Sequence, residues 1–274
     1  MKIALLQMTS GVDPAVNART LVDAIDAAAA AGAAMLFTPE MSGLLDRDRG
    51  RARRTIVAEA DDPVLGAVQK AAAQRGIWVH LGSLALAGDH DDRWVNRGLI
   101  IDDKGAIRAR YDKLHLFDVD LPSGESWRES SAYAPGEAAS VVETPIGGLG
   151  LSICYDLRFA ALYAALSDAG ATILSIPAAF TRPTGAAHWH VMMRARAIES
   201  ACYVVAAAQT GVHEDGRATF GHSLVVDPWG EILLDMGEEA GLGIVDLDPQ
   251  RIEEVRARIP VLAHRRVIPP VGLA

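Results

Sequence analysis

Residues 33–41, AAMLFTPEM, are the stretch on which the fold turns. The run is apolar without polar alternation and closes on a proline, the pattern of a short strand covered on both faces. Residues 171–180, ATILSIPAAF, have the same character. Each stretch follows a helical segment and a glycine, Gly32 or Gly170, and in each a proline, Pro39 or Pro177, stands just past the apolar run. The match suggests two related halves within one domain spanning residues 1–274.

Working outward, Lys2 to Met8 reads as a strand, and PAVNARTLVDAIDAAAAAG at 14–32 carries helical periodicity that stops at Gly32. A helix is expected around 62–75, then strands in WVHLGSLAL and RWVNRGLIID, with Asp103-Lys104-Gly105 turning the chain into AIRARYDKLHLF. Residues 118–138 form a long loop rich in Asp, Ser, Pro, Gly and Glu, and loops of that length are often functional. SVVETPIGG and LGLSICYD make a hairpin, with GGLG at 147–150 read as its turn, and a helix is expected from about Asp156 onward. Further helices over about 185–200 and 249–258, with strands in CYVVAAAQ, HSLVVDP and GEILLDM, complete a pattern of mixed sheets covered by helices.

Half of the residues are hydrophobic but only 5% are aromatic, so the interior is aliphatic, as suits helices packed on sheet. The net charge of −9 argues against a nucleic-acid partner. The longest apolar run, Ala27 to Phe37, is too short to span a bilayer, and the first ten residues lack a secretory h-region, so no membrane association and a cytoplasmic location are expected. Cys154 and Cys202 cannot supply a disulfide framework.

Cys154 sits where the apolar LGLSI gives way to the expected helix, at the carboxyl end of a strand. A helix N-terminus there would lower its pKa and favour the thiolate, although a buried packing role is the plain alternative. Cys202, in SACYVVAAA, reads as core. A cysteine nucleophile needs a base and an oxyanion donor. Glu40 and Lys113 each fall at or just past the end of a predicted strand, where both could reach one sheet edge beside Cys154, though either alone reads as a surface charge.

Taken together, FTPEM (37–41), RYDKLHLFD (110–118) and SICYDLRF (152–159) resemble the three catalytic segments of the nitrilase superfamily of carbon–nitrogen hydrolases, and the similarity covers nearly the whole chain. The resemblance implies an α/β fold, a four-layer α-β-β-α sandwich of the nitrilase type. It implies a Glu40–Lys113–Cys154 triad, a second carboxylate in Glu129 of WRES, and the Tyr155 backbone N–H joining Lys113 at the oxyanion. It further implies a small-molecule amide substrate, no cofactor, and subunits paired as a homodimer or higher homo-oligomer.

CYDLRF, residues 177–200, CYVVAAAQTG, FGHSLVVDPWGEIL and ARIPVLAHRR are similar to the branch containing deaminated glutathione amidase and omega-amidase; AAAQTGVHEDGRATFGHS favours the former. Ala160-Ala161 depart from the Pro-Glu usual after the phenylalanine there. Substrates of that branch carry carboxylates, which arginine holds in a two-bond fork. Arg158, four residues and one helical turn beyond Cys154, is the candidate, with an ion pair to Asp156 as the competing role. His188 and His190 flank Trp189 without a third ligand to complete a metal set. A papain-like pairing of Cys154 with His188 or His222, or a non-catalytic scaffold, are the alternatives from other classes.

Overall fold

Along Lys2–Gln7, Ile3 and Leu5 point to one side while Ala4 and Leu6 point to the other, and all four are buried. Period-two alternation with both faces apolar requires cover on both sides. The computed structural model, which describes residues 1–88, 93–120, 124 and 126–272, supplies it with helices on one face and a second sheet on the other.

The first sheet runs in the order Gly241–Asp246, Lys2–Gln7, Met35–Phe37, Trp78–Ala87, Trp94–Ile101, Ile107–Asp112. The second runs Ile232–Asp235, Leu224–Val226, Tyr203–Ala206, Ile173–Ser175, Gly147–Leu151, Val141–Thr144. In each, three parallel strands are flanked by one antiparallel strand on one side and two on the other. Met35–Phe37 and Ile173–Ser175 are the middle parallel strands of their sheets, so the two stretches that looked alike in sequence occupy equivalent places.

Ile3, Leu5, Met35 and Phe37 pack with Leu149, Leu151, Ile173 and Val205 in one apolar cluster. Ala4, Leu6, Leu36 and Val79 pack with Leu21, Ile25, Val68 and Ala72 of the helices Pro14–Ala30 and Pro63–Arg75. Both helices begin at an aspartate, Asp13 or Asp62, that accepts a hydrogen bond from a first-turn N–H, followed by proline. Helices Ala160–Asp168 and Arg182–Ser200 cover the second sheet, completing the four-layer α-β-β-α sandwich.

Two local expectations change. The GGLG stretch is strand rather than turn, because the hairpin reverses at Pro145-Ile146. The segment after Cys154 is a 3₁₀ turn, Cys154–Arg158, and the α-helix starts only at Ala160. Asp156 explains the difference: its buried carboxylate accepts from the Ile153 N–H at 2.9 Å, the Tyr111 hydroxyl at 2.7 Å and the His115 N–H at 3.0 Å, which ties the turn to the neighbouring sheet.

His80 crosses between the sheets, with Nδ1 2.8 Å from the Ser175 hydroxyl, and burial pushes its pKa down to about 3. The folded state therefore holds it neutral while the unfolded chain protonates it below about 6.5. Stability is expected to fall as pH drops from there toward 3, by up to about 1.4 kcal/mol per pH unit from this one group. Urea melts across that range should show a shallower slope for His80→Gln; an unchanged slope would exclude His80 as its source.

Candidate active site

Glu40 lies three residues past Met35–Phe37 and Lys113 directly follows Ile107–Asp112, so the sheet delivers both to the end where Cys154 leaves the second sheet. All three are buried. The Lys113 ammonium donates to Glu40 Oε1 at 2.9 Å and to Glu129 Oε1 and Oε2 at 3.1 and 2.9 Å. Glu40 Oε2 accepts from the Ala179 N–H at 2.9 Å, and the Cys154 thiol lies beside the same carboxylate in the cavity they share. Glu129 stands at the end of a small two-stranded ribbon, Asp118–Asp120 with Ser126–Arg128, and the Phe117 N–H donates to its Oε2 at 2.6 Å. That ribbon occupies the segment expected to be loop, of which residues 121–123 and 125 lie outside the described residues.

Asn96 was not anticipated. It is buried on Trp94–Ile101, its Nδ2 donates to Glu40 Oε1 at 2.9 Å and Glu129 Oε1 at 3.2 Å, and its carbonyl accepts from the Lys113 N–H at 3.0 Å. It therefore holds both carboxylates and the lysine backbone in register.

Electrostatics fixes the charge state of this cluster. Burial would raise the Glu40 pKa, but the Lys113 ammonium and the hydrogen bonds from Cys154, Lys113 and Asn96 outweigh it and hold the carboxyl below its ordinary range. Burial opposes the charge on Lys113, yet Glu129 and Glu40 raise its pKa well above normal. Cys154 goes the other way: burial first, then the Glu40 charge, push the thiol well up. The resting set is carboxylate, ammonium and thiol. A helix N-terminus does not activate the cysteine, because the residues after it form a 3₁₀ turn instead of an α-helix.

Cys154 also has φ 50°, the left-handed region that disfavours a side chain, and its N–H donates to Pro177 O at 2.9 Å. The sharp turn lifts its side chain into a cavity of about 420 Å³ shared with Glu40, Lys113, Glu129 and Tyr155.

A family model described as carbon–nitrogen hydrolase matches residues 2–257. The chain belongs to the carbon–nitrogen hydrolase family. It is 40% identical over 268 residues to deaminated glutathione amidase of Bos taurus, covering 96% of this chain and 81% of that one. Among solved structures, the NitFhit protein of C. elegans superposes with a TM-score of 0.89 at 39% identity, over 97% of this chain and 65% of that chain, so this chain spans about two thirds of that longer protein. A variant of the amidase from Nesterenkonia sp. AN1, with the acetamide moiety of fluoroacetamide covalently added at its active site cysteine, superposes with a TM-score of 0.80 at 28% identity, over 97% and 94% of the two chains. This carbon–nitrogen hydrolase thus shares its sandwich with the nitrilase superfamily.

The remaining expected residues fall in different places. The Tyr155 ring lines the cavity and meets Phe117 and Phe159 edge to face, with centroids 5.1 and 5.4 Å apart. The helical turn that would align Arg158 with Cys154 is absent, because the residues between them form a 3₁₀ turn. The Arg158 guanidinium lies 5.8 and 5.7 Å from the rings of Tyr155 and Phe180, which form part of the cavity wall, and is not itself among the lining residues. The competing ion pair with Asp156 is not formed, since that carboxylate is taken by Ile153, Tyr111 and His115; Arg158 has no acid partner among the described residues.

His188 and His190 diverge along their helix. His188 Nδ1 lies 3.3 Å from Arg158 Nη2, whereas His190 Nε2 lies 2.8 Å from Asp235 Oδ2, and His222 Nδ1 2.8 Å from the other oxygen of Asp235. Neither His188 nor His222 lines the cavity that holds Cys154, which disposes of a papain-like pairing. Cys202 is core, with its Sγ 3.2 Å from Ala171 O and its pKa pushed up to about 11 by burial. Among the described residues no helix is long and apolar enough to cross a membrane.

Proposed function

We propose that this chain hydrolyses a carboxylate-bearing small amide, deaminated glutathione first among them, through a thioester on Cys154. The reading is carried by the buried cluster in which Lys113 bridges Glu40 and Glu129 beside the Cys154 thiol. The similarity to deaminated glutathione amidases supports the substrate.

The chemistry follows from the charge state. Glu40 takes the thiol proton as sulfur bonds to the carbonyl carbon, and the displaced π pair becomes an oxyanion facing the Lys113 ammonium and the Tyr155 N–H. Glu40 returns the proton to nitrogen as the C–N bond breaks, so the amine leaves neutral. Water then gives its proton to Glu40 and attacks the thioester, the C–S bond breaks, and the proton returns to sulfur. Glu129 keeps Lys113 charged and aimed. A base fixed beside a neutral thiol suits this cycle better than a preformed thiolate, because the same carboxylate must accept and return the proton twice.

In deaminated glutathione the 2-oxoglutaramoyl end is the acyl part and cysteinylglycine is the leaving amine. Arg158, without an acid partner among the described residues and beside two wall aromatics, is the candidate for the carboxylate next to the ketone once its side chain rotates between Tyr155 and Phe180. Release of 2-oxoglutarate is expected from deaminated glutathione with a kcat/KM above that for alpha-ketoglutaramate, and none of note from nitriles. Arg158→Lys should lower kcat/KM more for these acids than for a neutral amide, since a point charge does not replace a planar fork. A clear preference for alpha-ketoglutaramate would reassign the chain to omega-amidase activity, and efficient nitrile hydrolysis would remove it from both.

A further inference from the structure

The acidic total of the chain hides a run of five arginines, at 47, 49, 51, 53 and 54, between the strand that leads to Glu40 and the helix Pro63–Arg75. The run falls at the cavity, and Arg47 and Arg49 line it. We propose that Arg47 and Arg49 form a distal subsite for a second carboxylate, the one at the far end of the leaving amine. The proposal rests on the amidase reading above and names what the outer part of the same site selects.

The nearby acids are already engaged. Asp46 accepts two bonds from Arg51, one at 2.8 Å, and Asp48 caps the short helix Arg49–Ala52 by accepting from the Arg51 N–H at 3.0 Å. Asp215 accepts from the Arg47 and Arg217 backbone N–H groups, by Oδ2 and Oδ1 respectively, and from Arg217 Nε at 2.8 Å. Asp120 holds Arg128 at 2.8 and 2.9 Å, and Glu40 and Glu129 hold Lys113. Arg47 and Arg49 are left with no acid partner among the described residues.

Both are nonetheless placed. Arg49 Nη2 donates to Arg128 O at 3.0 Å and to Ser131 Oγ at 2.5 Å, and its Nη1 donates to Ser131 O at 3.4 Å, so its charge is anchored by neutral acceptors that do not cancel it. The Arg47 guanidinium lies against Gly216, where a Cβ would stand 3.1 Å from Nη2; the φ of 85° there also favours glycine. The cavity is roomier than a five-carbon amide needs and lies in the roughly 300–1,000 Å³ range of sites for larger ligands. Two exposed guanidinium groups that line it without an acid partner among the described residues, in a protein of net charge −9, mark where a substrate anion is drawn.

The test compares deaminated glutathione with the same molecule carrying a glycinamide end, which removes only the distal charge. Wild-type protein should favour the acid by about tenfold in kcat/KM, mainly through KM, the scale of a charge-assisted bond in a partly exposed site. The preference should shrink as salt is added. Arg47→Ala and Arg49→Gln should each narrow it, and Arg47→Lys should restore part, whereas a structural defect would slow both forms alike. Equal kcat/KM for the two forms with wild type, or a preference untouched in both variants, would overturn the subsite while leaving the amidase reading intact. Hydrolysis of alpha-ketoglutaramate with neither form turned over would overturn the deaminated glutathione reading and the subsite together.

Discussion

Cys154→Ala is expected to bring amide turnover down to background, on the scale of about a millionfold that removal of the nucleophile costs in a covalent hydrolase. Its melting temperature should change little. The backbone at this position is strained whether it carries Cys or Ala, the N–H still bonds Pro177 O, and the lost sulfur was a buried thiol beside a charged carboxylate. Cys202→Ala should retain activity, since its sulfur lies in the core beneath Ala171.

The pH dependence separates two kinds of cysteine chemistry. With Cys154 pushed well above 9.0 and Glu40 held below 4.5, kcat/KM should show no rise near the ordinary thiol pKa and should fall only in acid, as Glu40 takes a proton. A sigmoidal gain centred near pH 9 would mean that free thiolate, not Glu40-assisted thiol, is the attacking species. Near-normal turnover by Cys154→Ala would dismiss the nucleophile assignment altogether.

The parts of this molecule that could be read from sequence are those fixed by local pattern. AAMLFTPEM and ATILSIPAAF declare buried strands because their apolar runs leave no polar face, and Pro14 or Pro63 after an aspartate declares a helix start. The 3₁₀ turn after Cys154 was not legible, because CYDLRF is compatible with helix and is overruled by Tyr111 and His115, more than forty residues away. The facing of Arg158 is illegible for the same reason, since a four-residue offset implies alignment with Cys154 only at a helical pitch that the turn lacks.

Asn96 did carry a signal. It shares a strand face with Ile100, which packs between the sheets, and an amide on such a face must find polar partners. In WVNRGLIID that reading needs the strand's inward side, which only the opposite sheet settles. The arginine run from 47 to 54 was visible in plain sequence but masked by a net charge summed over the whole chain.

Lys113→Met is expected to lower turnover by about 10²- to 10³-fold or more, the cost of losing an oxyanion donor, and to destabilise the fold as well. Without the ammonium, Glu40 and Glu129 face each other with only the Asn96 amide, the Ala179 and Phe117 N–H groups and the Cys154 thiol to offset them. Breaking a buried pair in this way typically costs about 3–5 kcal/mol. The sign with pH is specific. In the wild type the Glu40 pKa is depressed, so its contribution is present above 4.5 and is lost as pH falls through the lower folded value. In the variant the like charge of Glu129 and burial raise it instead, so the penalty is largest near neutrality and fades as acid protonates one carboxyl. Urea melts at a series of pH values should therefore show the gap between the two proteins closing toward pH 4. Glu40→Gln added to Lys113→Met removes one of the two stranded charges and should recover part of the lost stability, a coupling that independent sites would not show. A single variant as stable as wild type at neutral pH would mean that Lys113 does not hold the carboxylates together, and the charge state assigned to the whole cluster would fall with it.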